Sequence, residues 1–279
     1  MRSIQTAAVA TAHWRTAIAN LARPHYPPVA AHVPALCFRS ASGTQWYPPV
    51  MAGASTIADM LFRGDYIARA LELAMRLAPD DYASYLKHFY SEGLTRFGAS
   101  WRYADIVTVL LCLADVLRPR SYLEIGVRRG RTACAVASIA PDCALALFDM
   151  WIQDYAGMPN PGPDFVEAEL KKVGHRGPVV FNNGNSRVTV PAFFERNPDL
   201  YLDLVTVDGD HSLEGAAVDL AATLPRLAIG GAVVFDDIAH PQHPELGELW
   251  NEFVVRDPRF STWSFTEAGY GVGFAIRHR

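Results

Sequence analysis

Ser121-Tyr-Leu-Glu-Ile-Gly-Val-Arg-Arg-Gly-Arg-Thr132 decides how the chain is read. A short apolar run ends in an acid, a loop with two glycines follows, and an Ala/Val-rich stretch opens at Arg131. In order, these are a strand, a tight turn and a helix N-terminus. Gly126 and Gly130 let the backbone approach a ligand closely, since no Cβ intervenes. The first N–H groups of the helix point at whatever lies over the loop. The spacing matches the dinucleotide fingerprint Gly-x-Gly-x-x-Gly poorly, because Val127 stands between the loop glycine and two arginines.

Outward from this stretch the pattern repeats. Strand-like runs at Tyr122–Val127, Ala144–Asp149, Val179–Asn182, Leu202–Val207 and Ala232–Phe235 alternate with helical ones. The helical runs are Arg131–Ile139, Pro163–Val173, Arg187–Glu195, Leu213–Leu227 and Glu245–Val255. Regular alternation predicts a parallel α/β sheet covered on both faces. The end differs: Phe260–Phe265 and Val272–Arg277 are joined only by Thr266-Glu-Ala-Gly-Tyr-Gly271, which predicts an antiparallel hairpin. Upstream, an apolar helix is expected from Trp101 to Leu117, stopped by Pro119. Residues 55 to 96 keep helical spacing, and the Pro-rich residues 24 to 53 predict an irregular connection. The expected division is an N-terminal helical and irregular extension, 1–98, and an α/β domain, 99–279.

A chain of 279 residues can hold one large domain with an extra N-terminal region. The net charge of −4 and the lack of any long Lys/Arg run argue against a nucleic-acid partner. Cys37, Cys112, Cys134 and Cys143 have no CxxC spacing; Cys112 and Cys134 read as buried thiols, which suits a cytoplasmic protein. No apolar run is long enough to span a bilayer, so no membrane partner is expected. The N-terminus carries arginines but no Asp or Glu before Asp59, as an organelle transit peptide does. It is not Ser-rich, however, and Ala7, Val9, Trp14, Ile18 and Leu21 can share one helix face. An accessory or homo-oligomer-forming helix is the expectation.

Ligands of open α/β sheets bind beyond the carboxyl ends of the strands. Asp149 follows the second strand and could accept hydrogen bonds from both hydroxyls of a ribose, or cap a helix. Asn183-Gly-Asn-Ser186 follows the third and reads equally as plain turn chemistry. The fourth strand ends Val205-Thr-Val-Asp-Gly-Asp-His-Ser212, and the fifth ends Val233-Val-Phe-Asp-Asp-Ile238. Asp208, Asp210, Asp236 and Asp237 would therefore gather at one rim. Like charges held close need a cation, protons or water. Oxygen-only ligands suit Mg²⁺ or Ca²⁺; solvated loop acids and helix caps are the alternative.

Taken together, Glu124-x-Gly-x-x-x-Gly130, Asp208-Gly-Asp-His-Ser212, Asp219-Leu220, Leu227-Ala-Ile-Gly-Gly231 and Asp236-Asp237-Ile238 resemble class I S-adenosylmethionine (SAM)-dependent methyltransferases. They are similar in particular to macrocin-type sugar O-methyltransferases and to cephalosporin hydroxylase-like proteins, from about Trp101 to the C-terminus. The resemblance implies a Rossmann-like fold and SAM as cofactor, held by Glu124, Gly126, Gly130, Asp149, Trp151, Asn185, Ser186 and Asp208. It implies Mg²⁺ on Asp208, Asp236 and Asp237, with Asp210 as the base. His211 directly after Asp210 departs from the macrocin type and is a rival base. His240 and His243 could line an acceptor pocket or be surface residues. The reaction expected is methylation of a hydroxyl on a small molecule such as a sugar, phenol or natural product. A metal-dependent oxygenase or hydrolase on the Asp/His cluster, or a SAM-binding protein without catalysis, are the rival readings.

Overall fold

The computed structural model describes residues 14, 16–26, 38–46, 50–154 and 157–279. Seven strands form its main sheet: β1 (Ser121–Ile125), β2 (Ala144–Asp149), β3 (Val179–Asn183), β4 (Leu202–Val207), β5 (Leu227–Asp236), β6 (Phe260–Phe265) and β7 (Val272–Arg277). Their order is β3-β2-β1-β4-β5-β7-β6. Strands β1 to β5 run parallel, and β7 pairs antiparallel with β5 and β6. The parallel sheet and terminal hairpin expected from the sequence are what the chain builds.

The helices are α1 (Ala54–Arg63), α2 (Tyr66–Arg76), α3 (Asp81–Phe97), α4 (Ile106–Leu117), α5 (Arg131–Ile139), α6 (Pro163–Lys172), α7 (Ser186–Arg196), α8 (Leu213–Thr223) and α9 (Pro244–Trp250). The first six share one core on one face of the sheet, and the last three share a second core on the other. Helix α4 runs between the sheet and the outer helices, so Val107 through Ala114 are all buried. It begins at Ile106 rather than Trp101. Asp105 accepts from the Thr108 N–H while the Thr108 hydroxyl accepts from the Asp105 N–H, a reciprocal cap that fixes the helix start there.

Packing runs on across residue 98. Ile57, Leu61, Leu73 and Tyr90 are buried in the same core as Leu110 and Ile276, so the helices of the extension form one body with the sheet. The stretch expected to be irregular contains a short antiparallel pair, Phe38–Arg39 with Gln45–Trp46, closed by a turn in which Gly43 has φ 85°. Ala7, Val9 and Cys37 lie outside the described residues. Residues 16–19 are helical, and Ile18 is fully buried with Trp14, Leu21 and Tyr26 on the α7–α9 face. Edge strand β6 is thus flanked on both sides: Tyr26 lies 6.4 Å from Phe260, and the Ala54 N–H bonds to Ser261 Oγ. Cys112, Cys134 and Cys143 are buried free thiols. Among the described residues no helix is long and apolar enough to cross a membrane.

Candidate active site

Strand register assembles the site. Ile125 pairs with Phe148 and with Val207, and Val207 pairs with Phe235, so four strand ends form a row. One step further lie Gly126, Asp149, Asp208 and Asp236. Gly126 has φ 93°, and a Cβ there would overlap the Asp208 carbonyl oxygen, so no other residue fits between the two strand ends. Gly130 has φ 70°, and a Cβ would meet Val166 at 2.7 Å; it holds α5 against α6 and lines neither cavity described below. Arg128, Trp151 and Asp237 also adopt left-handed backbone, φ 49°, 52° and 61°. Three such residues just beyond strand ends mark where the chain is bent to present a rim.

Glu124 lies beneath this rim. It is fully buried, accepts from the Tyr122 hydroxyl at 2.7 Å and from the Thr132 hydroxyl, and borders neither cavity. Burial pushes its carboxyl up to about 8. Its place is therefore structural: it ties β1 to the start of α5.

Two cavities open above the row and share Gly126, Arg128, Asp208 and Gly209 as their common border. The smaller, about 270 Å³, is lined by Asp149, Met150, Ile152, Asn160, Asn185, Ser186 and Asp210 among others. Asp149 accepts from the Arg128 and Trp151 N–H groups at 2.7 and 2.6 Å and from Asn160 Nδ2 at 3.2 Å. Asn160 is 3% exposed, and its Oδ1 has no partner, leaving a buried acceptor. Trp151 turns away, donating Nε1–H to Asn183 and packing near Phe181; Met150 and Ile152 take the cavity wall expected of it. Asn185 caps α7 through the Arg187 N–H.

The larger cavity, about 720 Å³, holds Asp208, His211, Asp236, Asp237, His240 and His243 on one side and rings of α3 on the other. His211 Nε2 lies 3.4 Å from Asp237 Oδ2 and 3.8 Å from Asp208 Oδ1. Asp208, then Asp237 and Asp210, raise the imidazole above its ordinary value despite burial. Burial and the Asp208 charge raise Asp237 to about 6 and Asp236 well above the carboxylate range. The ligand atoms of Asp208, His211 and Asp237 all lie within 4.8 Å of one another. That set differs from the expected Asp208, Asp236 and Asp237: the imidazole reaches the pair, and Asp236 stands outside it.

Asp210 faces the wrong way for the role expected of it. It lines the smaller cavity, accepts from Arg187 Nη2 at 2.9 Å and from the Ser212 N–H at 2.8 Å, and these bonds hold it below the usual carboxylate value although partial burial opposes them. Its neighbour His211 faces the larger cavity.

A sequence family described as a methyltransferase domain matches residues 123–238. The match runs from β1 to the end of β5 and covers less than half of the chain. No curated protein matches the chain in sequence. Among solved structures, an O-methyltransferase from Bacillus cereus in complex with SAH is similar at TM-score 0.50 and 13% identity, covering 80% of this chain and 96% of that one. TomG, an O-methyltransferase of tomaymycin synthesis from Streptomyces achromogenes in complex with SAM, is similar at TM-score 0.49 and 18% identity, covering 77% and 91%.

The smaller cavity lies wholly within the matched segment, whereas the larger one reaches outside it on both sides. Asn160 and the α3 rings were not among the residues singled out in the sequence. Asn160 sits in the loop Met158-Pro-Asn-Pro-Gly162, where an asparagine between prolines reads as turn chemistry only.

Proposed function

We propose that the chain transfers the methyl group of SAM to a hydroxyl oxygen of a small molecule, with His211 as the base. The observation that carries this is the shared border at Gly126, Asp208 and Gly209, with His211 on the larger cavity's side. The nucleoside would occupy the smaller cavity, its ribose at Asp149 and its amino or hydroxyl groups within reach of the unpartnered Asn160 oxygen. Met150 and Ile152 supply apolar surface for adenine. With the sulfonium at the border, its methyl faces the larger cavity and the acceptor oxygen.

The S–CH₃ bond breaks as the O–CH₃ bond forms; the hydroxyl proton passes to the His211 imidazole, and S-adenosylhomocysteine (SAH) leaves. A sulfonium is already a good leaving group, so the protein's part is alignment and proton removal. Asp208 and Asp237 beside Nε2 orient the ring and stabilise the imidazolium that forms.

A divalent ion is a second reading, favoured by the mutual reach of Asp208, His211 and Asp237. Two carboxylates and an imidazole fit Mg²⁺ or Mn²⁺ and, with the nitrogen donor, Zn²⁺ as well. Bound there, an ion would stabilise negative charge on the acceptor oxygen. Calorimetry with SAM and SAH, each with and without Mg²⁺ and Mn²⁺, tests both readings. Failure of either nucleoside to bind refutes the methyltransferase reading; a melting temperature unmoved by either ion removes the metal and leaves His211 alone.

A further inference from the structure

The lining of the larger cavity has two chemically different parts, an Asp/His cluster and a set of aromatic rings. Tyr82, Tyr85 and Phe89 stand at positions i, i+3 and i+7 of α3, on one helix face. Their rings form a ladder, Tyr82 to Tyr85 at 6.1 Å and 18°, Tyr85 to Phe89 at 6.0 Å and 29°. Tyr103 meets Phe89 edge-on at 5.0 Å and extends the wall. Tyr82 and Tyr85 are 42% and 57% exposed and line the cavity, so part of their aromatic surface is open to it.

Several polar groups of that wall are engaged with one another. Asp80 caps α3 at the Ala83 N–H and pairs with Arg129 at 2.9 Å and Arg131 at 3.8 Å. The Tyr90 and Tyr103 hydroxyls both bond to Asp105, and the Arg131 guanidinium lies over the Tyr82 ring at 4.9 Å. The titratable groups Asp208, His211, Asp236 and Asp237 come from the strand ends and not from that wall. A ligand matching both parts is flat and apolar through its body and carries its hydroxyl at one edge. A saccharide can rest a C–H face on one ring, but only an aryl group meets the ladder with a π-face of its own.

We propose that the acceptor is an aryl hydroxyl whose ring stacks on Tyr82 and Tyr85. This rests on the reading of the chain as a SAM-dependent O-methyltransferase. The chemistry agrees with the base: a phenolic hydroxyl ionises near 10, far below an aliphatic alcohol, so an imidazole can take its proton. That proton goes to His211, the phenolate oxygen takes the methyl, and SAH is the leaving group. Tyr82 and Tyr85 act by positioning the ring and setting specificity.

The test is calorimetry in saturating SAH, with catechol, caffeic acid and quercetin as aryl probes and methyl glucoside and rhamnose as saccharide probes. Both tyrosines are exposed, so their truncation leaves the fold intact, and SAH affinity serves as the check. Tyr85→Ala should weaken aryl binding about fivefold to tenfold and Tyr82→Ala/Tyr85→Ala about thirtyfold, whereas Tyr85→Phe, which keeps the ring, should stay within about twofold. Saccharide binding without aryl binding, no aryl binding at all, or aryl binding indifferent to both truncations would overturn the proposal. A chain that does not bind SAH at all fails earlier, at the methyltransferase reading itself.

Discussion

The two cavities differ in where their walls come from. The smaller draws on residues between Ile125 and Asp210, all inside the segment that matches the methyltransferase family. The larger borrows the rings of α3, the start of α4 and the loops after β5 and between β6 and β7, most of which lie outside it. On the proposed reading the smaller cavity takes the methyl donor, which is the same molecule in every such enzyme, and can be built from the strand ends that define the sheet. The larger would take the acceptor, which differs from enzyme to enzyme, and its wall comes from elements laid over the sheet.

That division can be broken experimentally. The largest effect is expected at the base. His211→Gln should lower the methylation rate at saturating SAM by a factor of about a hundred or more while SAH affinity stays within about twofold. Asp210→Asn should keep the rate within about fivefold; the reverse ranking would return the proton to Asp210. Next, Asp149→Ala should weaken SAH by about 1–3 kcal/mol, as measured by calorimetry, because it removes the acceptor and loosens the Arg128 turn it holds. Aryl-probe binding in the absence of SAH should not change, and a parallel loss there would mean the two cavities are not separable.

Smaller still is Asn160→Leu, which removes the buried unpartnered oxygen; SAH should weaken about fivefold. If affinity is unchanged, the nucleoside does not reach that oxygen.

The smallest effect concerns the floor beneath both cavities. Burial raises Glu124 from 4.5 to about 8, so the folded chain keeps a proton that the unfolded chain gives up at lower pH. The stabilisation is complete below 4.5 and is lost as pH rises through about 8. Glu124→Gln cannot ionise and keeps partners for Tyr122 and Thr132. Between about pH 6 and pH 9 its melting temperature should fall about 2–4 °C less than that of the parent chain. Parallel melting curves over that range would show that Glu124 does not titrate there.

Much of the sheet was legible because its strands are short strand-like runs bounded by turns; Ala144–Asp149, Leu202–Val207, Phe260–Phe265 and Val272–Arg277 have the same limits in sequence and structure. Strand-end position alone brought Asp149, Asp208, Asp236 and Asp237 to one rim. Side-chain direction was not legible. Asp210 and His211 are neighbours whose backbone turn sends one to each cavity, and Trp151 turns away through a left-handed φ that its sequence does not announce. The α3 rings were hidden for another reason. Aromatic residues at i, i+3 and i+7 read as the buried stripe of an amphipathic helix, and only tertiary packing shows that the stripe overhangs the sheet's open end.

The placement of Tyr26 and Ala54 on either side of β6 has a consequence for solubility. β6 is the last strand of the sheet, and its outer N–H and C=O groups invite pairing with another chain. The Arg259 and Arg277 guanidiniums lie over the Tyr26 ring at 4.1 and 5.1 Å, and Arg23 lies over Phe253 at 4.9 Å. Those contacts dress the corner where β6 begins. A chain started at Met51 would keep every residue of both cavities yet bare Phe253 and Phe260 beside an unpaired strand, and should aggregate on concentration while the full chain stays in solution.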